Sequence, residues 1–208
     1  MIMYFFLLSF LILGGGIKYI DAAYDEKTFN KKIALAIAPA LGLLWAYTML
    51  INEVAATILF AVLLGVLLKG KIDNRAHLAG LLIIFGVIFL MGVELLFLPL
   101  IFLAAAALLD EVGNDVVDYN KKYLKRNKLL HKFLIYFFDQ RWLLKIAILC
   151  IALVGIIPLY FFLAILLFDY AYLIVRWYSQ SRQEKPSSLP RERPRDHKTL
   201  LEIGEIFK

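Results

Sequence analysis

The stretch LAGLLIIFGVIFLMGVELLFLPLIFLAAAALL, residues 78–109, decides the fold because its 32 residues carry one charge, at Glu94. As a continuous α-helix it would extend about 48 Å, whereas the hydrocarbon core of a bilayer is about 30 Å thick. It is therefore one overlong helix or two helices that turn back near Glu94. A similar run over residues 142–175 contains GIIP, Gly155 to Pro158, where proline can end a helix.

The whole chain has the composition of a membrane protein. Of its 208 residues, 62% are hydrophobic, and the mean hydropathy is +0.76. A soluble domain of this size leaves too much surface in water to hide so many apolar side chains. Continuous β-type alternation is absent, so the runs are expected to be helices. Further apolar runs cover residues 1–20, 33–51 and 54–68.

The distribution of positive charges indicates whether the long runs form single helices or hairpins. If each long run folds back as a hairpin, all 23 Lys and Arg residues fall on one side of the membrane, and this side is expected to be cytoplasmic. A single crossing at residues 78–109 would destroy that asymmetry. We therefore predict an all-α, polytopic transmembrane bundle of about seven helices, one helix plus three hairpins. Its N-terminus is outside, its C-terminus is cytoplasmic, and the cell membrane is the expected location.

The first apolar run and the C-terminal segment set the predicted domain boundaries. The first apolar run has no basic residue before it, which favours a retained helix over a signal peptide. After Trp177 the composition becomes charged and rich in proline. We predict a transmembrane domain over residues 1–178 and a flexible, basic cytoplasmic tail over residues 179–208. The single Cys150 excludes an intramolecular disulfide.

A basic and aromatic segment over residues 117–141 is predicted to lie on the cytoplasmic surface. Its lysines are followed by a group of aromatic side chains, the pattern of an amphipathic element that binds anionic lipid headgroups. Its place between membrane helices favours lipid over nucleic acid as the partner. The predicted partners are thus the bilayer and its anionic headgroups, and the sequence carries no prediction of oligomeric state.

The predicted cytoplasmic ends of the first, third and fifth helices carry acidic or metal-compatible side chains at i and i+4, positions that share a helix face. Carboxylate, amide and imidazole groups ligate divalent cations, and Mg²⁺ or another divalent cation is the expected cofactor. Nearby basic residues would neutralise a metal-bridged phosphate. The candidate metal ligands are Asp21, Asp25, Asp73, His77, Asp110, Asn114, Asp115 and Asp118, and the candidate phosphate contacts are Lys18, Lys71, Arg75 and Lys121.

Three consecutive glycines, Gly14 to Gly16, precede the first of these pairs. Without side chains they allow a kink or the close approach of another helix or a lipid chain. A small-residue packing face and a ligand-related role are both open from the sequence.

The motif NDVVD, Asn114 to Asp118, resembles the Asn-Asp-x-x-Asp core of the first aspartate-rich motif in the UbiA superfamily of intramembrane prenyltransferases. DAAYD, Asp21 to Asp25, is similar to the second motif of that superfamily but precedes the first. The resemblance implies aspartates that bind magnesium and a prenyl diphosphate. It covers only these short motifs, and Lys122 stands where the superfamily has a further aspartate.

Two classes of function follow from the sequence. The first is a membrane protein whose cytoplasmic site binds a divalent cation and a phosphorylated lipid or isoprenoid, with transferase activity as one form of it. The second is a non-catalytic scaffold or a small ion or solute transporter, in which the acidic helix ends simply face water. A transporter is expected to have charged residues near the middle of the membrane, whereas the charges of this chain lie mostly at the helix ends, which disfavours transport.

Overall fold

The computed structural model describes residues 2–68, 70, 74–120 and 129–183, and within these ranges the chain is entirely helical apart from its connections. The eight helices are α1 (Ile2–Tyr24), α2 (Lys31–Leu50), α3 (Glu53–Leu68), α4 (Arg75–Met91), α5 (Phe97–Asn120), α6 (Leu129–Asp139), α7 (Trp142–Leu153) and α8 (Tyr160–Gln183).

Four of these helices, α1, α2, α5 and α8, are long and apolar enough to cross a membrane, whereas α3, α4 and α7 are shorter apolar helices. This is the pattern of an integral membrane protein in contact with the bilayer. An all-helical bundle is therefore confirmed. The count of seven crossings and the orientation of the chain stay predictions.

The two long apolar runs are each divided into two helices. The first breaks at residues 92–96, where Gly92 has a φ of 73° and Glu94 is exposed. The second breaks at residues 154–159, where Gly155 has a φ of 81°. Glycine adopts these positive φ values without the steric penalty of a side chain. Both turns fall where the sequence predicts them.

Six helices close a ring in which each packs against the next: α1, α8, α7, α5, α3 and α2, and then α1 again. Outside this ring, α4 packs mainly against α2, and α6 packs against α5. The apolar core at the ring's interior is built around large, fully buried side chains. These include Phe6, Phe10, Leu13, Ile148 and Phe161.

The contact between α1 and α8 depends on Gly14. A Cβ atom at this position would lie 2.0 Å from the backbone oxygen of Phe168, far inside van der Waals contact. At Gly15 a Cβ atom would make only ordinary van der Waals contacts, the nearest with the Cβ of Ala171 at 3.6 Å. Of the two roles that the sequence left open for the glycines, close helix packing is the one that the geometry shows at Gly14.

The described ion pairs gather at one end of the bundle. They involve the second halves of α1 and α5, the connection after α1, the starts of α4 and α7, the end of α6 and the middle of α8. The pairs are Lys18–Glu26, His77–Asp21, Arg141–Glu111, Lys145–Asp169 and Arg176–Asp139. We call this region the charged end. The connection before α5 belongs to the opposite end, where the backbone N–H of Leu96 donates to Oγ1 of Thr57 in the first turns of α3.

Several predicted segments fall partly outside the described residues. Of the predicted surface segment, residues 117–120 belong to α5 and residues 129–139 form α6, whose Leu129, Leu130 and Tyr136 are exposed. Residues 121–128 and 184–208 lie outside the described ranges. The beginning of the predicted tail, up to Gln183, is the last turn of α8.

Candidate functional site

A cavity of about 310 Å³ opens at the charged end and extends into the bundle. We call it the amphiphilic cavity because its inner wall is apolar and its outer end is polar. The apolar wall comes from α1, α2, α3, α4 and α8, and includes Leu41, Trp45, Val66, Leu81 and Phe168. The polar end consists of Asp21, Asp25, His77, Arg141 and Tyr172.

Asp21 is the centre of the polar end. Its Oδ1 is hydrogen-bonded to Nε2 of His77 at 2.7 Å, and its Oδ2 accepts from the hydroxyl of Tyr172 at 3.4 Å. His77 is held in place by the N-terminus of α4, where its backbone N–H donates to the side chain of Asn74. The carboxylate of Asp21 therefore joins three helices, α1, α4 and α8, at the mouth of the cavity.

Arg141 forms the opposite wall of the polar end. It precedes α7 in a left-handed conformation, with φ 50° and ψ 52°, and its Nη2 lies 2.8 Å from Oε1 of Glu111. Its guanidinium also lies 5.7 Å from the ring centre of Tyr172. Burial is the largest single influence and lowers the pKa of Arg141, but the acidic groups around it, Glu111 first and then Tyr172, Asp169 and Asp21, together raise its pKa. A permanent cation thus faces the cavity.

A second cavity, of about 320 Å³, lies beside the first and is lined mainly by polar groups. Arg141 and Tyr172 line both cavities and form the wall between them. The other side chains of this polar cavity include Lys18, Glu26 and Arg176. The charged end therefore holds an amphiphilic compartment and a polar compartment that meet at one arginine and one tyrosine.

Glu26 links α1 to α8 at the rim of the polar cavity. Its Oε1 accepts from Nζ of Lys18 at 2.5 Å, and its Oε2 accepts from the hydroxyl of Ser179. Partial burial raises the pKa of Glu26, but the hydrogen bonds from Lys18 and Ser179 and the charge of Lys18 prevail, so that its pKa is lowered overall. Glu26 is therefore ionised at neutral pH, and Lys18, a predicted phosphate contact, is paired with it.

The acidic cluster on α5 is placed differently. Both oxygens of the buried Asp110 carboxylate accept backbone N–H groups at the start of α7, from Leu143 at 3.1 Å and from Leu144 at 2.8 Å. Asp110 thus caps α7 from another helix, because the first N–H groups of a helix have no partner within it. Its neighbour Glu111 pairs with Arg141. Both residues line a third, small cavity of about 30 Å³.

The structure brings together some of the predicted ligands and separates others. Asp21, Asp25 and His77 share the amphiphilic cavity, and Asn114 lines the polar cavity. Asp115 and Arg75 are exposed on α5 and α4. The remaining candidates lie outside the described residues, either entirely or with their side chains. These are Lys71, Asp73, Asp118 and Lys121.

Within the described part of the chain, no group of three or more His, Cys, Asp or Glu side chains is arranged to hold a metal ion. Asp21 and Asp25 are therefore at most a partial set of ligands. Their carboxylates have the chemistry that Mg²⁺ prefers, and Mg²⁺ commonly takes only one or two carboxylates from a protein, with phosphate and water in the other positions.

Arg141 and Tyr172 were not among the residues that the sequence singled out. Arg141 is an isolated arginine between an amphipathic segment and an apolar run, and Tyr172 is one of many aromatic residues in α8. The sequence offered one indication for Arg141, which is a charged residue directly before an apolar run, and none that distinguished Tyr172. Their role depends on how α7 and α8 pack, which spacing along the chain does not reveal.

No family model, no curated protein and no solved structure matches this chain. The function is therefore inferred from the geometry of the two cavities.

Proposed function

We propose that this protein binds an amphiphilic lipid with a phosphorylated headgroup, with the headgroup at the polar end of the amphiphilic cavity and the hydrocarbon chain along its apolar wall. One observation carries the proposal. A single cavity in a membrane protein combines an apolar wall with Asp21, His77, Arg141 and Tyr172 at its mouth. Pockets for small ligands typically have mostly apolar walls and a few convergent polar groups, as this one does.

The apolar wall favours a branched or unbranched hydrocarbon chain. Trp45 and Phe168 pack edge to face with ring centres 6.4 Å apart, and aliphatic side chains of α3 and α4 complete the surface. The cavity of about 310 Å³ is near the lower limit for a small-molecule site, roughly 300 Å³, so it would hold part of a long chain.

The polar end favours a phosphate. Arginine carries five N–H donors in a planar fork, and the described contact of Arg141 with Glu111 is made through Nη2. The hydroxyl of Tyr172 and the imidazole of His77 are further hydrogen-bonding groups at the same mouth. A phosphate oxygen placed there would accept a charge-assisted hydrogen bond from Arg141, whose charge Glu111 partly neutralises, and a neutral alcohol headgroup would gain less from this contact.

A divalent cation is the second part of the proposal. Asp21 and Asp25 would hold it, and the lipid phosphate and water would complete its coordination. The cation, when bound, would reduce the negative charge of the phosphate and make it a better leaving group. The adjoining polar cavity gives water-soluble reactants access to Arg141 and Tyr172, so transfer from or to the lipid is the reaction class that this arrangement would serve.

The first experiment measures binding of farnesyl phosphate to the full chain in detergent, by thermal shift and by native mass spectrometry. Farnesol has the same hydrocarbon chain without the phosphate and is the ligand control. We expect a saturable rise in melting temperature with farnesyl phosphate and no comparable rise with farnesol. Equal responses to both, or none, would overturn the proposal and favour a scaffold without a lipid site.

Variants of two arginines test whether binding depends on the cavity or on the positive charge of the protein surface in general. Arg141→Gln is expected to weaken farnesyl phosphate binding at least about tenfold, since a charge-assisted contact is lost. Arg182→Gln removes the same charge from the exposed end of α8, outside both cavities, and is expected to bind as wild type. Tyr172→Phe removes only a hydroxyl and gives a second test if Arg141→Gln is poorly folded.

The cation is tested by repeating the titration with Mg²⁺ and with a chelator. We expect Mg²⁺ to tighten binding of farnesyl phosphate in wild type but not in Asp21→Asn or Asp25→Asn. Binding that is unchanged by chelator would remove the cation from the proposal and leave the lipid site intact.

A further inference from the structure

The walls of the amphiphilic cavity are not equally closed. Between α1 and α8, backbone contact at Gly14 leaves no gap. Between α2 and α4, a Cβ atom at Gly42 would lie 2.7 Å from the backbone oxygen of Gly80, so these helices also meet at their backbones. The helix α3 is also packed closely against α5, whose described residues do not line this cavity: a Cβ atom at Gly65 would lie 3.0 Å from the Cβ of Ala107.

By contrast, α3 and α4 are consecutive in the chain, but each packs mainly against other helices. The main contacts of α3 are with α5 and α2, and those of α4 are with α2. Even so, both helices line the amphiphilic cavity, through Val62 and Val66 of α3 and Leu81 and Ile84 of α4. The cavity therefore lies between α3 and α4 on this side, and α1, α2 and α8 complete its wall.

The surface around this space is apolar. On α4, Leu78, Leu82 and Phe85 are exposed, and α4 is one of the apolar helices of the bundle. The groups that line the gap are likewise aliphatic, whereas the polar groups of the cavity stand together at its mouth. An apolar opening between two apolar helices is suited to hydrocarbon and not to water.

We infer that the gap between α3 and α4 is a lateral portal, through which the hydrocarbon chain of the bound lipid enters from the bilayer. This inference rests on the proposed lipid site and adds the route to it. It also limits the ligand: a chain longer than the cavity is accepted because its far end remains among the membrane lipids. The headgroup reaches Arg141 from the side, without leaving the membrane interface.

The test closes the portal with a covalent bridge. Val66→Cys and Leu81→Cys are introduced together in a Cys150→Ser background, which removes the native, exposed thiol, and are joined with a short bismaleimide. If the bridge is formed first, we expect loading of geranylgeranyl phosphate to slow by roughly tenfold or more. If the lipid is loaded first, we expect its release to slow by a similar factor.

The control bridge lies at a closed wall. Gly15→Cys and Ala171→Cys would place their Cβ atoms 3.6 Å apart, within the range of about 3.5 to 4.5 Å for a disulfide, and would join α1 to α8. We expect this bridge to leave loading and release unchanged. Each single cysteine of the portal, blocked with a monofunctional maleimide, shows the effect of added bulk alone.

The outcomes separate the two proposals. Wild-type rates in the bridged Val66→Cys/Leu81→Cys protein would overturn the portal while leaving the lipid site in place. Slowing by the monofunctional maleimide alone, equal to that of the bridge, would also overturn it, because obstruction of the cavity would then explain the result. If the unbridged protein does not bind geranylgeranyl phosphate or farnesyl phosphate, the lipid site fails and the portal fails with it.

Discussion

The contact between α1 and α8 and the gap between α3 and α4 lie on two sides of the same cavity and differ in almost every respect. At the first, Gly14 brings the two helix backbones together, and Glu26 and Thr28 add polar links to Ser179 of α8. At the second, among the described residues, aliphatic side chains line the cavity and each helix packs mainly against another partner. The difference indicates that the charged end has a fixed wall and an open wall.

A membrane protein can maintain such a difference because lipid is as apolar as the side chains it touches. Helix association in a bilayer comes from close packing and polar contacts, with little hydrophobic gain from removing a side chain from lipid. An unpacked gap such as that between α3 and α4 therefore costs less than it would in water. Close contact must be built from small residues, as between α1 and α8.

The largest test of this comparison is Gly14→Ala. Because the added methyl group would collide with the backbone of Phe168, which cannot rotate away, we expect the free energy of unfolding to fall by more than about 4 kcal/mol. Gly15→Ala is the matched control, and should change it by less than about 1 kcal/mol. Thermal and denaturant unfolding in detergent measure both. A mild effect of Gly14→Ala would mean that α1 and α8 do not pack this closely.

A second test compares two leucines. Leu13 on α1 is fully buried in the core, so Leu13→Ala is expected to reduce the free energy of unfolding by about 3 kcal/mol. Leu81 on α4 is half-buried and already borders a cavity, so Leu81→Ala should cost less than about 1 kcal/mol. The same unfolding measurement applies to both. Equal losses would show that the α3–α4 side is as closely packed as the core.

The smallest effect is expected from protonation of Glu26. Its lowered pKa means that its contribution to stability is complete well above the ordinary value of 4.5 and is lost as the pH falls through the folded-state pKa. Glu26→Gln should therefore lower the melting temperature by a few degrees at pH 7. Its difference from wild type should shrink as the pH is lowered below the ordinary value of 4.5 and through the folded-state pKa.

Glu94→Gln is the control for that pH series, since it removes a carboxylate from an exposed connection at residues 92–96. We expect its melting temperature to follow that of wild type at every pH. A constant difference between wild type and Glu26→Gln across the series would show that Glu26 does not stabilise the α1–α8 contact through its charge.

Much of the architecture could be predicted from the sequence, because chain length and charge placement constrain it. An apolar run of 32 residues around Glu94 exceeds the bilayer thickness, and one-sided positive charge requires it to fold back. The structure confirms the break at residues 92–96 and the break around GIIP. Which helices then become neighbours, such as α1 with α8, depends on packing and was not predicted.

The candidate site was harder to predict, since its contacts join residues that are distant in the chain. Spacing of four residues paired His77 with Asp73, but the contact that the structure describes for His77 is with Asp21 of α1. The same reasoning treated Asp110 as a metal ligand, whereas its carboxylate caps α7. From the neighbouring sequence alone, a carboxylate at a helix end that binds a metal cannot be distinguished from one that caps another helix.

The pairing of α1 with α8 also bears on how the protein is made. During translation α1 leaves the ribosome long before α8, because synthesis proceeds from the N-terminus. The surface around Gly14 must therefore stay unpaired in the membrane until the last of the eight described helices has been inserted. Closure of the ring, and with it assembly of the wall that carries Tyr172, is consequently a late event in biogenesis.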